Sequence, residues 1–212
     1  NQVDTRGVYS FCMCPGGIIA PAATAPDESV VNGWSPSRRT NPFANSGLVV
    51  SVNESDYAQE HSSPLDALAY QESVEQKSYQ SGGGKLKAPA QRLIDFVERR
   101  NSLTLPLNSY IPGLTPYSLD QTLPKIIAES LRESLKVFSK KMKSLYTNEA
   151  VLVATESRTS SPVRIPRDKE TLEHPRLKGL FPCGEGAGYA GGIVSAAMDG
   201  ERCAEACISQ RI

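Results

Sequence analysis

The stretch from Gly179 to Gly200 constrains this chain more than any other. It holds seven of the 16 glycines in 212 residues. Gly179-Leu-Phe-Pro-Cys183 is a short apolar run that reads as a strand. Gly184-Glu-Gly-Ala-Gly-Tyr-Ala-Gly-Gly192 is a glycine loop carrying one acid, Glu185, and Ile193 to Ile208 is an alanine-rich helix. Glycine accepts positive φ and lets a ligand approach the backbone. A helix start leaves amide N–H groups without internal partners and adds a partial positive charge. Strand, loop and helix in this order make a place to hold something polar or anionic.

Gly186-x-Gly188-x-x-Gly191 matches the dinucleotide fingerprint, which also needs a second strand with a ribose-binding acid about 20 residues on. The 21 residues after Gly191 read as helix throughout. The stretch is therefore not expected to be the first βαβ unit of a Rossmann domain. Ala196, Ala197 and Gly200 are small enough for this helix to pack closely on a sheet.

Upstream, residues 1–57 read as strands and loops. Gly7 to Cys14 is β-prone and stops at Pro15-Gly16-Gly17. Ile18 to Ala20 and Val30-Val31 are short strands, and Gly47 to Val52 is a buried one. Residues 64–80 read as a helix broken by Ser81-Gly-Gly-Gly84, and Pro89 opens a second helix with Leu93, Phe96 and Val97 inward. Ser118-Leu-Asp-Gln121 resembles a capping box. A long helix over about 123–145 carries the stripe Ile127, Leu131, Leu135, Phe138, Met142 and Leu145. Lys136, Lys140, Lys141 and Lys143 read as its solvated face. Ala150 to Ala154 is a strand, and Glu156 to Ile165 is polar and rich in hydroxyls.

With 23 basic and 23 acidic residues the chain has no basic field for nucleic acid. No apolar run reaches the ~20 residues that span a bilayer. There is no signal peptide, and the chain begins at Asn1, so a fragment of a longer, cytoplasmic protein is expected. Five cysteines, Cys12, Cys14, Cys183, Cys203 and Cys207, favour reduced thiols over a disulfide framework. Cys203 and Cys207 share a helix face and read as small apolar residues. Neither His61 nor His174 has metal-ligand spacing to a cysteine, so no metal is expected.

Phe11-Cys-Met-Cys-Pro-Gly-Gly17, Asn45-Ser46, Thr159-Ser-Ser-Pro-Val-Arg-Ile165 and Gly184-Glu-Gly-Ala-Gly-Tyr-Ala-Gly-Gly192 together resemble an uncharacterised bacterial family of FAD-dependent dehydrogenases of the two-dinucleotide-domain type. The resemblance implies an FAD-dependent oxidoreductase whose N-terminal FAD-binding half is absent here. It implies an α+β fold: a mixed sheet with a helical insertion, then the C-terminal strand, loop and helix of a flavin domain. Residues 1–155 would form a substrate or cap domain and residues 156–212 the end of the FAD-binding domain. Gly184, Glu185, Gly191, Gly192 and Ile193 would face the flavin, Glu185 by accepting from a ribityl hydroxyl. The amides at the helix start would stabilise negative charge on the pyrimidine edge. Thr159, Ser160, Ser161 and Arg164 would line the ring or a substrate pocket. A reduced nicotinamide, NAD(P)H, or an organic molecule would be the electron donor, and the fragment alone is expected to be inactive.

The candidates for a catalytic role are Cys12 and Cys14, as a thiol pair near the flavin; as a Cys-x-Cys on a strand they are expected to share a face. They read equally well as two small residues in a tight core. Tyr189 either covers the ring or packs the loop. Two other readings stay open: a phosphate- or nucleotide-binding module without redox chemistry, and an interaction domain whose glycine loop is structural.

Overall fold

The computed structural model describes residues 2–3, 6–58 and 63–210; His61 lies outside the described residues. Two compact units share the chain. The first is residues 1–56 with 72–157, and the second is residues 57–71 with 158–212. The first unit is α+β, and it holds every strand among the described residues.

Three small sheets form in the first unit. β1 (Gln2–Val3), β2 (Arg6–Pro15) and β5 (Ala44–Val50) make one, in the order β1-β2-β5. β3 (Ile18–Pro21) and β4 (Val31–Trp34) make a hairpin. β6 (Ala88–Arg92) lies between β7 (Leu114–Pro116), parallel to it, and β8 (Val151–Val153), antiparallel to it. The β2–β5 ladder keeps one register from Val8–Val50 to Phe11–Gly47, then slips by one residue before Cys14–Asn45. Cys12 stands at this bulge with φ of 48°.

The sheet around β6 is covered on both faces. Leu152 packs against a core of Leu93, Phe96, Val97, Leu119, Ala128, Leu135 and Ala154, whereas its neighbour Val153 packs with Val31, Ala88 and Tyr110. Alternate residues of one strand serve two cores.

That double burial explains one departure from the sequence reading. Pro89 does not open a helix; it lies inside β6, and α2 starts after it at Leu93 and runs to Val97. Proline interrupts a central strand where its N–H would be needed. Here the ladder to β8 ends at Ala90–Val153, so Pro89 falls just past it, and its carbonyl still accepts from the Ala154 N–H at 3.0 Å. Ala, Pro and Ala carry little strand preference, so only the burial on both faces marks the segment.

The expected long helix is divided. α3 (Leu119–Thr122) follows Ser118, whose side chain makes no cap bond, and Pro124 then stands before α4 (Lys125–Lys141). Lys143–Leu145 form a 3-10 turn. The apolar stripe is only part of what α4 buries. Ser130, Arg132 and Ser134 are also buried, with Arg132 only 1% exposed. Arg132 donates from Nε to the Phe96 carbonyl at 3.0 Å, lies 4.6 Å over the Phe96 ring and pairs with Asp120 and Glu129. The fork of donors in a guanidinium lets a cation be buried this way.

α1 (Asp66–Gly82) ends at Gly83 and Gly84, both with positive φ, as the glycine run predicts. The division between the two units falls within this helix. The long helix of the second unit, among the described residues, is α5 (Ile193–Ser209). The strand expected over 179–183 does not form. The His174 N–H donates to the Leu180 carbonyl at 2.8 Å, a local turn contact, and Pro182 has no N–H to give a ladder. With no strand among the described residues of this unit to pair with, the segment stays irregular. The close packing expected of Gly200 is also missing, since a Cβ there would meet nothing within 4 Å.

Candidate functional site

In the second unit the glycine loop folds into a compact turn. Gly184 takes φ of +71° and Gly188 +81°. The Gly188 N–H donates to the Glu185 carbonyl at 2.9 Å, and the Tyr189 N–H to the Gly184 carbonyl at 3.0 Å. Gly188 is required twice over. Its φ suits glycine, and a Cβ would lie 2.8 Å from the Val163 carbonyl oxygen. This contact brings the loop against residues 163–164. Ser161 adds to it by donating to the Val163 carbonyl at 2.7 Å and lying 3.1 Å from the Gly186 carbonyl. The hydroxyl-rich segment and the glycine loop are thus neighbours, through Ser161 and Gly186, 25 residues apart in sequence. Thr159 Oγ1 is buried with no hydrogen-bond partner, and Ser160 is exposed.

Two residues not singled out in the sequence hold this turn. Arg167 and Asp199 form a bidentate pair at 2.7 and 2.9 Å, with side chains 7% and 8% exposed. Asp199 also accepts from the Gly184 N–H at 2.9 Å, and Arg167 also donates to the Pro182 carbonyl at 2.8 Å. One ion pair therefore ties both sides of Cys183 to the second turn of α5. The hydrogen bonds from Arg167 hold the Asp199 carboxyl down at about 2, against the opposing pull of burial; the Gly184 amide adds to the effect. Hydrogen bonds to the charged form favour that form. Nothing in sequence spacing marks Asp199, an acid on an amphipathic helix, as different from Glu201 or Glu205.

Tyr189 packs the loop. The Arg167 guanidinium lies 3.6 Å and that of Arg164 4.3 Å from its ring centre, and its hydroxyl donates to the Ile165 carbonyl at 2.9 Å. Cys203 is buried, and burial pushes its thiol up; Arg167 lies 3.1 Å from its sulfur.

The start of α5 is open. Gly192, in extended backbone, precedes it without a side-chain cap bond, and the first intrahelical donor is the Ala196 N–H, at 2.9 Å from the Gly192 carbonyl. The amides of Ile193, Val194 and Ser195 are thus available to an acceptor. Ile193 is 92% exposed and Val194 72%. A Cβ at Gly184, Gly186 or Gly191 would meet nothing within 4 Å, so the chain's own packing does not require those glycines to be small. The Glu185 carboxylate makes no hydrogen bond or ion pair among the described residues. Among the described residues, a buried unpaired hydroxyl, the Glu185 carboxylate and a run of open amides are thus polar groups around this turn that the chain itself does not pair.

Cys12 and Cys14 belong to the first unit. The bulge between Phe11 and Cys14 interrupts the alternation that would put both on one face, with Cys12 exposed and Cys14 half-buried. Asn45 pairs with Cys14 across the ladder.

No described helix is long and apolar enough to cross a membrane. A family described as FAD-dependent protein, C-terminal domain-like, matches residues 1–159. An uncharacterised protein of Clostridium beijerinckii is 44% identical over 207 residues, an alignment covering 97% of this chain and 38% of that protein. The chain therefore spans about 38% of the length of that relative, and the alignment takes in the glycine loop. A match over three quarters of the chain shows its family: the chain belongs to the FAD-dependent protein C-terminal domain family.

Proposed function

We propose that this chain is the C-terminal part of a cytoplasmic FAD-dependent oxidoreductase, with residues 1–155 acting as a substrate or cap domain and residues 156–212 completing the flavin-binding domain. The observation that carries the reading is the uncapped start of α5 behind a glycine turn braced by Asp199, in a chain of an FAD-dependent family. Bound there, FAD supplies the hydride chemistry. The residues of this chain hold and tune it. Gly192 and Ile193, with Gly191 before them, offer backbone N–H groups and the positive end of the helix dipole to the pyrimidine edge. Glu185 accepts from a ribityl hydroxyl, and Thr159, Ser160 and Ser161 offer hydroxyls to the ring. The N-terminal half supplies the adenine and pyrophosphate contacts, so the chain alone is inactive. The electron donor is a reduced nicotinamide or a small organic substrate.

The test is the absorbance of the purified full-length protein, which should show flavin bands near roughly 370 and 450 nm. Gly191→Val should abolish flavin retention. Since a Cβ at Gly191 meets nothing within 4 Å, the substitution leaves the chain's own packing intact and reports on the ligand contact. Missing bands in the unmodified protein, or full retention in Gly191→Val, would refute the reading.

A further inference from the structure

Cys183 is held against Cys203 by the residues on either side of it. One nitrogen, Nη1 of Arg167, gathers three acceptors: the Pro182 carbonyl at 2.8 Å, Asp199 Oδ2 at 2.9 Å and Cys203 Sγ at 3.1 Å. The same Asp199 oxygen accepts from the Gly184 N–H at 2.9 Å. The Cys203 S–H in turn faces the Pro182 carbonyl at 3.9 Å. Both chain neighbours of Cys183 are therefore tied to one turn of α5, Asp199 to Cys203, and the Cys203 sulfur touches the peptide that enters Cys183. The two side chains meet there as weak hydrogen-bond partners. Disulfides form readily only between cysteines whose backbones are already fixed close together. The two thiols are free and unequal: Cys183 is exposed, whereas Cys203 is 3% exposed. An exposed thiol can meet an oxidant from outside, and a buried one beside it can only react with its neighbour.

We propose that Cys183 and Cys203 form a reversible disulfide that fastens the glycine loop to α5, with Cys183 reacting first with a small-molecule disulfide and Cys203 resolving the product. In the first step the Cys183 thiolate attacks one sulfur of the small disulfide. That S–S bond breaks, a mixed disulfide forms on Cys183 and one small thiolate leaves. In the second step Cys203 gives its proton to water and its sulfur attacks Cys183 Sγ. The mixed S–S bond breaks, the Cys183–Cys203 bond forms and the second small thiolate leaves. The two cysteines lose two electrons together, and one small disulfide is reduced to two thiols. An excess of small thiol drives both steps backwards.

Burial pushes the Cys203 thiol up, and the Arg167 cation beside it pulls the other way. Cys203 thus rests as a thiol, and the guanidinium is in place to stabilise the negative charge that gathers on sulfur as the proton leaves. The bond would close the segment that carries Gly184 to Gly192 and the open start of α5. In the reduced chain the entry to that segment hangs on the Arg167–Asp199 pair alone among the contacts at Pro182 and Gly184 described above. Where thiols are kept reduced, a pair of this kind senses oxidant and is not a permanent staple.

The test exposes the reduced full-length protein to glutathione disulfide under native conditions, blocks the remaining thiols with iodoacetamide and maps the cysteines by peptide mass spectrometry. Cys183 should be found joined to Cys203, with Cys207, one turn further along α5, alkylated. Cys203→Ser should leave Cys183 carrying glutathione, and Cys183→Ser should leave Cys203 without glutathione. Hydrogen exchange at the Gly184 amide should slow by about tenfold or more in the oxidised protein and recover on reduction. Unmodified protein in which Cys183 keeps glutathione, joins Cys207 or stays open to alkylation overturns the proposal, whether or not either variant folds. So does formation of the same pair equally fast in concentrated urea, since the fold would then not be what presents it. The linkage is read at sulfur, so its failure is separate from failure of the flavoprotein reading, which the spectrum of the full-length protein decides.

Discussion

Asp199→Asn tests what holds the glycine loop. In the native unit the Asp199 carboxylate accepts two hydrogen bonds from Arg167 and one from the Gly184 amide, with its side chain 8% exposed. The substitution keeps the shape and removes the charge, leaving the Arg167 cation in place. The carboxyl is held at about 2, against an ordinary value near ~4, so the charged form gains on the order of 2–3 kcal/mol from its surroundings. Removing one partner of a buried pair costs about 3–5 kcal/mol; this pair lies just beneath the surface, so about 2–3 kcal/mol is expected. Hydrogen exchange at the Gly184 amide should speed up by roughly 50-fold in Asp199→Asn, and urea unfolding should lose a similar free energy. Arg167→Met should cost a comparable amount. The double variant should lose clearly less than the sum, because no orphan charge remains. Acid supplies the second arm. A carboxyl lowered in the folded state stabilises fully above its unfolded value, and that contribution fades as pH falls from about 4 to about 2. Asp199→Asn should flatten the stability curve of the unit in that window. Additive single losses, or an unchanged acid limb, would refute the argument that this pair braces the loop.

Two more predictions concern packing. Gly188→Ala meets both a φ of +81° and the Val163 carbonyl oxygen 2.8 Å from its Cβ, so it should lower stability by about 2–3 kcal/mol. Gly184→Ala, with φ of +71° but an open Cβ site, should cost only about 1 kcal/mol. Equal losses in thermal unfolding would mean that the close approach at residue 188 is not real. Arg132→Lys keeps the charge but cannot reach the Phe96 carbonyl, Asp120 and Glu129 together, so a loss of about 2 kcal/mol in urea unfolding is expected. A neutral result would show that charge alone, without the fork of donors, is what the site needs.

Much of the strand pattern was legible along the chain. β2, β3 and β5 follow β-branched and apolar runs closed by glycine and proline turns, and α5 follows its alanine-rich composition. β6 was not legible, because Ala88, Pro89 and Ala90 earn their place only by burial between two cores. The run before the glycine loop read as a strand, yet a strand exists only where another strand accepts its hydrogen bonds, and none is offered among the described residues of the second unit. The positions of Glu156, Arg167 and Asp199 were equally hidden. Each looks like an ordinary surface charge until the fold brings Gly47, Gly184 or Pro182 against it.

The sequence by itself determined the local conformations: where glycine permits a turn, where a helix can begin, and which family the chain resembles. These follow from backbone freedom and side-chain period, which depend on near neighbours. Only the tertiary structure decided that Asp199 braces the Gly184 turn, that Ser161 reaches the Gly186 carbonyl, and that the Glu156 carboxyl lies against Gly47. Those are contacts between distant segments, and their energy depends on desolvation and distance, which no spacing along the chain encodes.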